Sequence, residues 1–389
     1  MQDDDKPTAS VEMVPLNASQ PDGARRVTQN TGFLVGEEKI KFMAAMSKEE
    51  LTRRTRRVYM APYLTYNTAG DLYGAMRGVG DVAVIGAGPS LVDNLDQIRE
   101  WQKPENGVIL LTLNNAHNFL LEHGIRPDIS VIIESREHAA AYIDPVDDVS
   151  YLVGSSVHDA TLRKFFGVSH NTHIWHPIQD DKHRAQIAAL NKTFTRRKIP
   201  GVSGGTSVMI RMMDFLVAFM GARRLRFIGC DSSAKDGAMH ALKKAHKERL
   251  IVVQIQDQKG NQLRRKYTTT HSMYRQAGEF WMFVDARAKE VRAGTLNAFE
   301  IMFYGRGLLP DWAALHNFHV DSVAIKKELE DEGFEPKVLF SNPVDLSTEV
   351  CLTTLAFPSG VNTTGIGRPD GNTAANDQRV GEQRPDTTS

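Results

Sequence analysis

The chain has 389 residues, with 47 basic and 47 acidic side chains and two cysteines, Cys230 and Cys351. Balanced charge gives no global attraction to nucleic acid or an anionic membrane, and two cysteines make neither a disulfide framework nor a zinc site by themselves. No apolar run approaches the ~20 residues that span a bilayer, and the polar, acidic start MQDDDKPTAS is unlike a secretion signal, so the expectation is a cytoplasmic protein with reduced thiols.

Residues 1–35, rich in Asp, Ser, Pro, Asn and Gly without hydrophobic period, predict a disordered arm. Residues 36–79 predict a helical N-terminal extension: Phe42, Met43, Met46 and Leu51 recur at near-helical spacing, and Ser47 followed by Glu50 opens a helix. Arg53, Arg54, Arg56 and Arg57 in that stretch read as a solvated helix face or a partner surface rather than a phosphate clamp.

The densest signal is DVAVIGAGPSLVD at 81–93. Val82 to Ile85 is a short apolar run of the kind that forms a buried strand. Gly86-Ala87-Gly88 permits a tight turn, Pro89 presets φ, and Ser90 with Asp93 reads as the cap of a helix running to about Trp101. Strand, glycine turn and capped helix together aim backbone N–H groups at a phosphate. The third glycine of a dinucleotide fingerprint is absent, Leu91 standing in its place, and a purely structural β-turn-α connection is the competing reading.

Further apolar runs follow at Val108–Leu113, Ile129–Ile133, Tyr151–Val153, Thr172–Trp175 and Leu225–Ile228, separated by helical or glycine-bearing segments. Strands without alternation, spaced by helices, predict a Rossmann-like, doubly wound, mostly parallel sheet covered on both faces. Ligands of such sheets sit outside the strand carboxyl ends, near the topological switch point. Asn114, Asn115, Glu134, Ser155 and Asp231 all fall at predicted carboxyl ends. A second glycine turn, Gly201-Val202-Ser203-Gly204-Gly205-Thr206-Ser207, precedes a helix whose stripe of Met209, Met212, Met213 and Met220 is simplest as core. The start of that helix, beside the Ser203, Thr206 and Ser207 hydroxyls, is a second anion-binding candidate.

Residues 232–248, with Lys235, His240, Lys243 and Lys244, read as a mobile segment and a candidate lid. Ile251–Gln256 and Leu263–Tyr267 predict a β-hairpin, His271–Val291 a helix and Thr295–Tyr304 a last strand ended by Gly305-Arg306-Gly307. The domain proper is expected over 80–310, a C-terminal extension over 311–357, and a disordered tail over 358–389.

Thirteen histidines occur without zinc-site spacing; His170, His173 and His176 surround a predicted strand. Mg²⁺ needs only one or two carboxylates beside substrate phosphates, and Glu134 with Asp231 is the best-placed pair if their strands are neighbours; the competing reading has them cap loops. There is no nucleophile elbow and no Walker A sequence. The basic segments around Lys243 and Arg264 lack the interleaved aromatics that stack bases, which argues against nucleic acid.

GAGPSL at 86–91, LNNA at 113–116, HGIRPDISVIIE at 123–134, GGTS at 204–207 and IGCD at 228–231 come in one order at close spacing. In this the chain resembles the domain shared by archaeal 6-hydroxymethyl-7,8-dihydropterin pyrophosphokinases and the motility-associated-factor glycosyltransferases that modify flagellin. It is more distantly similar to bacterial sialyltransferases with a glycine-Asn-Gly-Pro-Ser turn. The resemblance covers about residues 80–310 and implies a nucleotide-binding transferase. It would set Gly86, Gly88, Pro89 and Ser90 against the nucleotide, Asn114 and Asn115 beside it, Gly204, Gly205 and Thr206 on the opposite wall, and Asp231 on the floor. Ala87, Glu134 and Cys230 depart from the pattern of these relatives.

Three functions compete. A glycosyltransferase would take a nucleotide-activated sugar, with His240 as base for the acceptor hydroxyl and Asp231 beside it. A pyrophosphokinase would move diphosphate from ATP with Mg²⁺ on Glu134 and Asp231. A non-catalytic interaction or structural protein would keep only the nucleotide-binding fold. No organic cofactor, membrane or nucleic acid is expected in any of them.

Overall fold

The computed structural model describes residues 11–14, 46–60, 67–76, 80–194, 198–202, 205, 207–235, 238, 241, 250–256, 262–294, 296–332 and 354–356. All lie in the unit Met1–Ser359.

The strands are β1 (Val11–Val14), β2 (Asn67–Thr68), β3 (Asp81–Ile85), β4 (Val108–Leu113), β5 (Ile129–Ile132), β6 (Ser150–Gly154), β7 (Thr172–Pro177), β8 (Gly201–Val202), β9 (Arg224–Ile228), β10 (Leu250–Gln256), β11 (Gln262–Thr270), β12 (Ala298–Phe303) and β13 (Thr354–Ala356). The helices are α1 (Lys48–Met60), α2 (Ala69–Met76), α3 (Leu95–Trp101), α4 (Ala116–Glu122), α5 (Asp159–Arg163), α6 (Asp181–Thr193), α7 (Val208–Phe215), α8 (His271–Arg292), α9 (Leu308–Leu315) and α10 (Ser322–Asp331).

Ten strands form one sheet in the order β13-β12-β9-β3-β4-β5-β6-β7-β2, with β8 paired to β7. Every pairing is parallel except β12 with β13. The chain steps outward from β3 through β7, then returns to lay β9 on the other side of β3. The topological switch point therefore lies between β3 and β9.

The absence of alternation in the apolar runs has the expected cause. Val82 and Val84 of β3 face a core formed with α7, α8 and α9, whereas Ala83 and Ile85 face Ile98 and Trp101 of α3 and Leu120 of α4. Likewise Leu152 of β6 joins the first core, while Tyr151 and Val153 join Val58 and Tyr59 of α1 and Phe165. The Met209, Met212, Met213 and Met220 stripe is fully packed. Its helix widens into a π-helical turn at Leu216–Met220 and ends at left-handed Gly221. β10 and β11 pair antiparallel as the predicted hairpin.

Several expectations change. Val11–Val14, inside the stretch read as a structureless arm, pairs in parallel with β10. Asn67–Thr68, inside the extension, joins the sheet at β7. The helix expected from Ser90 to Trp101 is two pieces: a 3-10 segment, Pro89–Asn94, whose N-cap position is Gly88, and then α3. Ser90 does not cap it, because its side chain is held by Asp231. In the C-terminal extension, Trp312 and Phe318 are core residues, whereas Val320 is exposed. The tail from 358 onward lies outside the described residues. Among the described residues no helix is long and apolar enough to cross a membrane.

Candidate functional site

At the switch point the ends of β3 and β9 interlock. Gly86 N–H donates to the Ile228 carbonyl at 2.8 Å, and Gly88 N–H to the Gly229 carbonyl at 2.7 Å. The two turns are so close that a Cβ on Gly86 would overlap the Gly229 carbonyl, and one on Gly229 would overlap that of Gly86. Gly229 also has φ +64°, a conformation that side chains disfavour. Next in line, Ser90 N–H donates to Asp231 Oδ2 at 2.7 Å and Ser90 Oγ donates to Asp231 Oδ1. Gly86, Gly88, Pro89, Ser90 and Asp231 are therefore brought together, with the N–H groups of Gly86, Gly88 and Ser90 spent on protein acceptors.

Asp231 is 2 % exposed. Burial pushes its carboxyl up to about 7 against the two Ser90 hydrogen bonds, with the Asp311 and Asp93 carboxylates adding to the rise. A third strand end closes this cluster. After β12, Gly305 (φ +86°) leaves no room for a Cβ beside Ser90, and one on Gly307 would sit 2.8 Å from Asp231 Cβ. Leu309 N–H at the start of α9 donates to the Asp231 carbonyl at 3.1 Å. Two residues on, buried Asp311 accepts from Tyr267 Oη (2.9 Å), Arg265 (3.1 Å) and Arg306 (2.7 Å). Sequence reasoning took Gly305-Arg306-Gly307 only as a strand terminator and 311–357 only as a C-terminal extension. The spacing of the two glycines around an arginine was the available signal.

Beside this closed cluster, β4 ends in two asparagines that keep donors available. Asn114 adopts a left-handed φ of +49°. Its N–H donates to the Val131 carbonyl (2.8 Å) and its Oδ1 accepts from Ile133 N–H (3.4 Å). The Nδ2 of Asn114 and the side chain of Asn115 bond no partner among the described residues, and both residues are half-buried. Glu134, after β5, is bound in bidentate fashion by Arg136 at 2.9 and 2.8 Å. Burial alone would raise its carboxyl, but the Arg136 guanidinium outweighs that and holds it below the usual carboxylate range. Exposed His138 lies close enough to Glu134 for its charge to be felt there, a neighbour the sequence reading missed.

The carboxylate pair expected to share Mg²⁺ is not brought together. β5 and β9 are separated by β4 and β3, three steps of ~4.8 Å, and each carboxylate already has its own donors. Among the described residues no group of three or more His, Cys, Asp or Glu converges as a metal site.

Ser155, after β6, belongs to a buried chain instead. Tyr59 Oη donates to Asn191 Oδ1 (2.8 Å), so it accepts from His176 Nε2–H (2.9 Å). That leaves His176 Nδ1 to accept the Ser155 hydroxyl proton at 2.7 Å. Burial lowers the His176 pKa to about 3, with the nearby His183 acting the same way, so the ring stays neutral and the direction of the chain is fixed.

The arginine cluster is also corrected. Arg54 is 6 % exposed and donates to the Ser135 and Ser156 carbonyls at 2.7 and 2.8 Å. Arg57 reaches the Val157 carbonyl and pairs with Asp159. These side chains bind α1 across the ends of β5 and β6, where loop carbonyls leave negative partial charge.

Gly205 is far from the glycine turn of β3. It lines a cavity of about 300 Å³ with Ile178, Gln179, Asp180, Asp181, Arg184 and Arg211, at the ends of β7 and β8. The Ser207 hydroxyl is used in capping α7, accepting from Ile210 N–H at 3.2 Å. Ser203, Gly204, Thr206, His240, Lys243 and Lys244 lie outside the described residues. Next to His240, however, Ala241 N–H donates to the Ala87 carbonyl at 2.9 Å, so the segment expected to act as a lid touches the glycine turn there.

A doubly wound parallel sheet with its glycine turns interlocked at the switch point defines a Rossmann-like α/β domain. Residues 60–237, a little under half of the chain, match the family described as 6-hydroxymethylpterin diphosphokinase MptE-like. Among solved structures the chain is similar to a MAf glycosyltransferase from Magnetospirillum magneticum AMB-1, at 13% identity and a TM-score of 0.45, over 73% of this chain and 40% of that one. It thus spans less than half the length of that protein. No curated protein matches the chain.

Proposed function

We propose that the chain is a nucleotide-binding transferase, and that the reaction is glycosyl transfer from a nucleotide-activated sugar. The observation that carries the reading is the pair Asn114 and Asn115, half-buried at the end of β4 beside the switch point, where the Asn114 Nδ2 and the Asn115 amide bond no described residue. A half-buried amide without a partner is a ready contact for a base or ribose, since a ligand that pairs it recovers a hydrogen bond. The interlocked turns of β3 and β9 lie one strand away from that contact, and Ala241 is held at Ala87. On this reading Asp231 acts through Ser90, orienting the turn, rather than as a base. His240, which lies outside the described residues, is the base proposed for the acceptor hydroxyl.

Diphosphate transfer is the second reading, favoured by the description of the family that matches residues 60–237. It needs a divalent ion bridging substrate phosphates, which a single carboxylate such as Glu134 would hold only after releasing Arg136.

Thermal unfolding of the purified chain with CMP, UDP, GDP and ATP tests the reading. A nucleotide at about 100 times its Kd adds about 2.7 kcal/mol of stability, and Asn115→Ala, at a residue with right-handed φ and no side-chain cap hydrogen bond, should weaken that nucleotide at least tenfold while leaving the unliganded transition near its original place. No shift with any nucleotide sinks the proposal. Release of nucleoside diphosphate or monophosphate from a nucleotide sugar in EDTA supports glycosyl transfer, whereas Mg²⁺-dependent AMP release from ATP replaces it with the second reading.

A further inference from the structure

The cavity at the ends of β7 and β8 is lined by a buried arginine that forms no direct ion pair among the described residues. Arg211, in the first turns of α7, is 5 % exposed. One of its terminal nitrogens, Nη1, donates to the Ile178 carbonyl at 2.8 Å and the Val202 carbonyl at 3.2 Å, tying the two strand ends together. The remainder of the guanidinium bonds nothing among the described residues, and no carboxylate lies within ion-pair distance of it there. Glu279 acts on it only at longer range. Burial lowers the Arg211 pKa to about 10, which leaves it charged at neutral pH.

An arginine buried to this degree is ordinarily paired, because an uncompensated charge away from water is costly. Two carbonyls satisfy only one corner of a fork that carries five donors. The unsatisfied edge borders a cavity of about 300 Å³, a volume at the small end of ligand sites. Gly205, which leads into α7, lines the same cavity. The rim is mixed: Arg184 stands 3.7 Å from Asp181, and Asp180 is occupied as the cap of α6 through His183 N–H at 2.7 Å. Rim charges are screened by solvent and salt, whereas the floor charge is not.

We infer that this cavity is an oxyanion-binding site, in which Arg211 takes a carboxylate or phosphate group of a small ligand through its free edge. Arg184 at the entrance is exposed and shared with Asp181, so Arg211 is the cation that carries the site. The site is four strand positions from β3, on the order of 19 Å at ~4.8 Å per step, and the inference does not rest on the nucleotide reading.

Calorimetric titration of the full chain with inorganic phosphate and, separately, with acetate, at ionic strength held constant with chloride, reads the site directly. One binding event per chain is expected for at least one anion; phosphate alone assigns a phosphate group, acetate alone a carboxylate. Arg211→Lys, which keeps charge but loses the fork, should bind at least tenfold more weakly. Heat from neither anion, or equal affinity in R211K, overturns the inference. Because Arg211 also ties Ile178 to Val202, the unaltered chain gives an independent reading that needs no variant to fold. Phenylglyoxal should modify Arg211 in chloride, and the bound anion should slow that modification at least fivefold by peptide mass spectrometry. An Arg211 that is never modified, or modified equally with and without anion, also overturns it. Failure here leaves nucleotide binding at Asn114 standing, since that is read by a different ligand and a different variant.

Discussion

Asp231 shows how a single residue can set the chemistry of a turn it does not belong to. Its carboxylate takes both the N–H and the hydroxyl of Ser90, while Gly88 and Gly307 leave the space it fills. Burial raises its pKa to about 7, against an ordinary value of about 4. Between those two values the folded state holds a proton that the unfolded chain releases. Stability contributed by this group is therefore present at low pH, falls as pH rises from about 4 to about 7, and is flat above. His176 works in the opposite sense: its folded pKa of about 3 lies below its ordinary value, so its contribution grows as pH rises toward about 6.5. The informative quantity is thus the difference between the unaltered chain and Asp231→Asn. In urea unfolding, that difference should change by several kcal/mol across pH 4 to 7, with a shift of about 3 pKa units as the upper bound of roughly 4 kcal/mol. Parallel pH profiles would mean that Asp231 titrates at its ordinary value and that the cluster is open to water.

At the scale of elements, what was legible in the sequence depended on whether the governing interaction was local. β3, β4, β5 and β6 were legible because each is buried on both faces, which writes an unbroken apolar run. The hairpin β10–β11 and helix α8 were legible for the same reason, through turn residues and a 3.6-residue stripe. The role of α1 was not. Arginines at 53, 54, 56 and 57 lie around much of a helix, and nothing local says which of them will be buried. Tertiary structure chooses Arg54 and Arg57, because the loops after β5 and β6 present carbonyls there. Ser90 was misread for a related reason: a capping position was evident locally, but a carboxylate distant in the chain competes for it. Arg54→Ala should consequently destabilise the fold by about 2–4 kcal/mol, since it leaves two buried carbonyls without a charged donor. Arg56→Ala, at an exposed position, should stay within about 0.5 kcal/mol. Equal effects of the two substitutions would restore the reading of α1 as a solvated face.

On the scale of the whole molecule, the candidate site depends on chain that the family match does not reach. The match ends at residue 237, yet β12 pairs with β9 over Glu300 to Phe303. The turn after β12 then wedges Gly305 and Gly307 against Ser90 and Asp231. Phe303 stacks on Phe227 with ring centroids 5.0 Å apart, and Phe280 of α8 meets both edge-on. Asp311 then gathers Arg265 and Tyr267 from β11 and Arg306 from the turn, joining the hairpin to the strand end. The segment from β12 to α9 is therefore part of the cluster at the switch point rather than an appendage to it. A chain ended after residue 297 would leave β9 with an unpaired apolar edge and the Ser90–Asp231 pair open to water. The full chain should unfold in one cooperative transition with strong near-ultraviolet dichroism from its packed aromatic rings. The shortened chain should lose both the cooperativity and that signal while keeping much of its far-ultraviolet helical signal, as expected when secondary structure outlasts specific packing. A shortened chain that unfolds as sharply as the full one, and binds the same nucleotide, would show that the strand end after β12 only decorates a site complete without it.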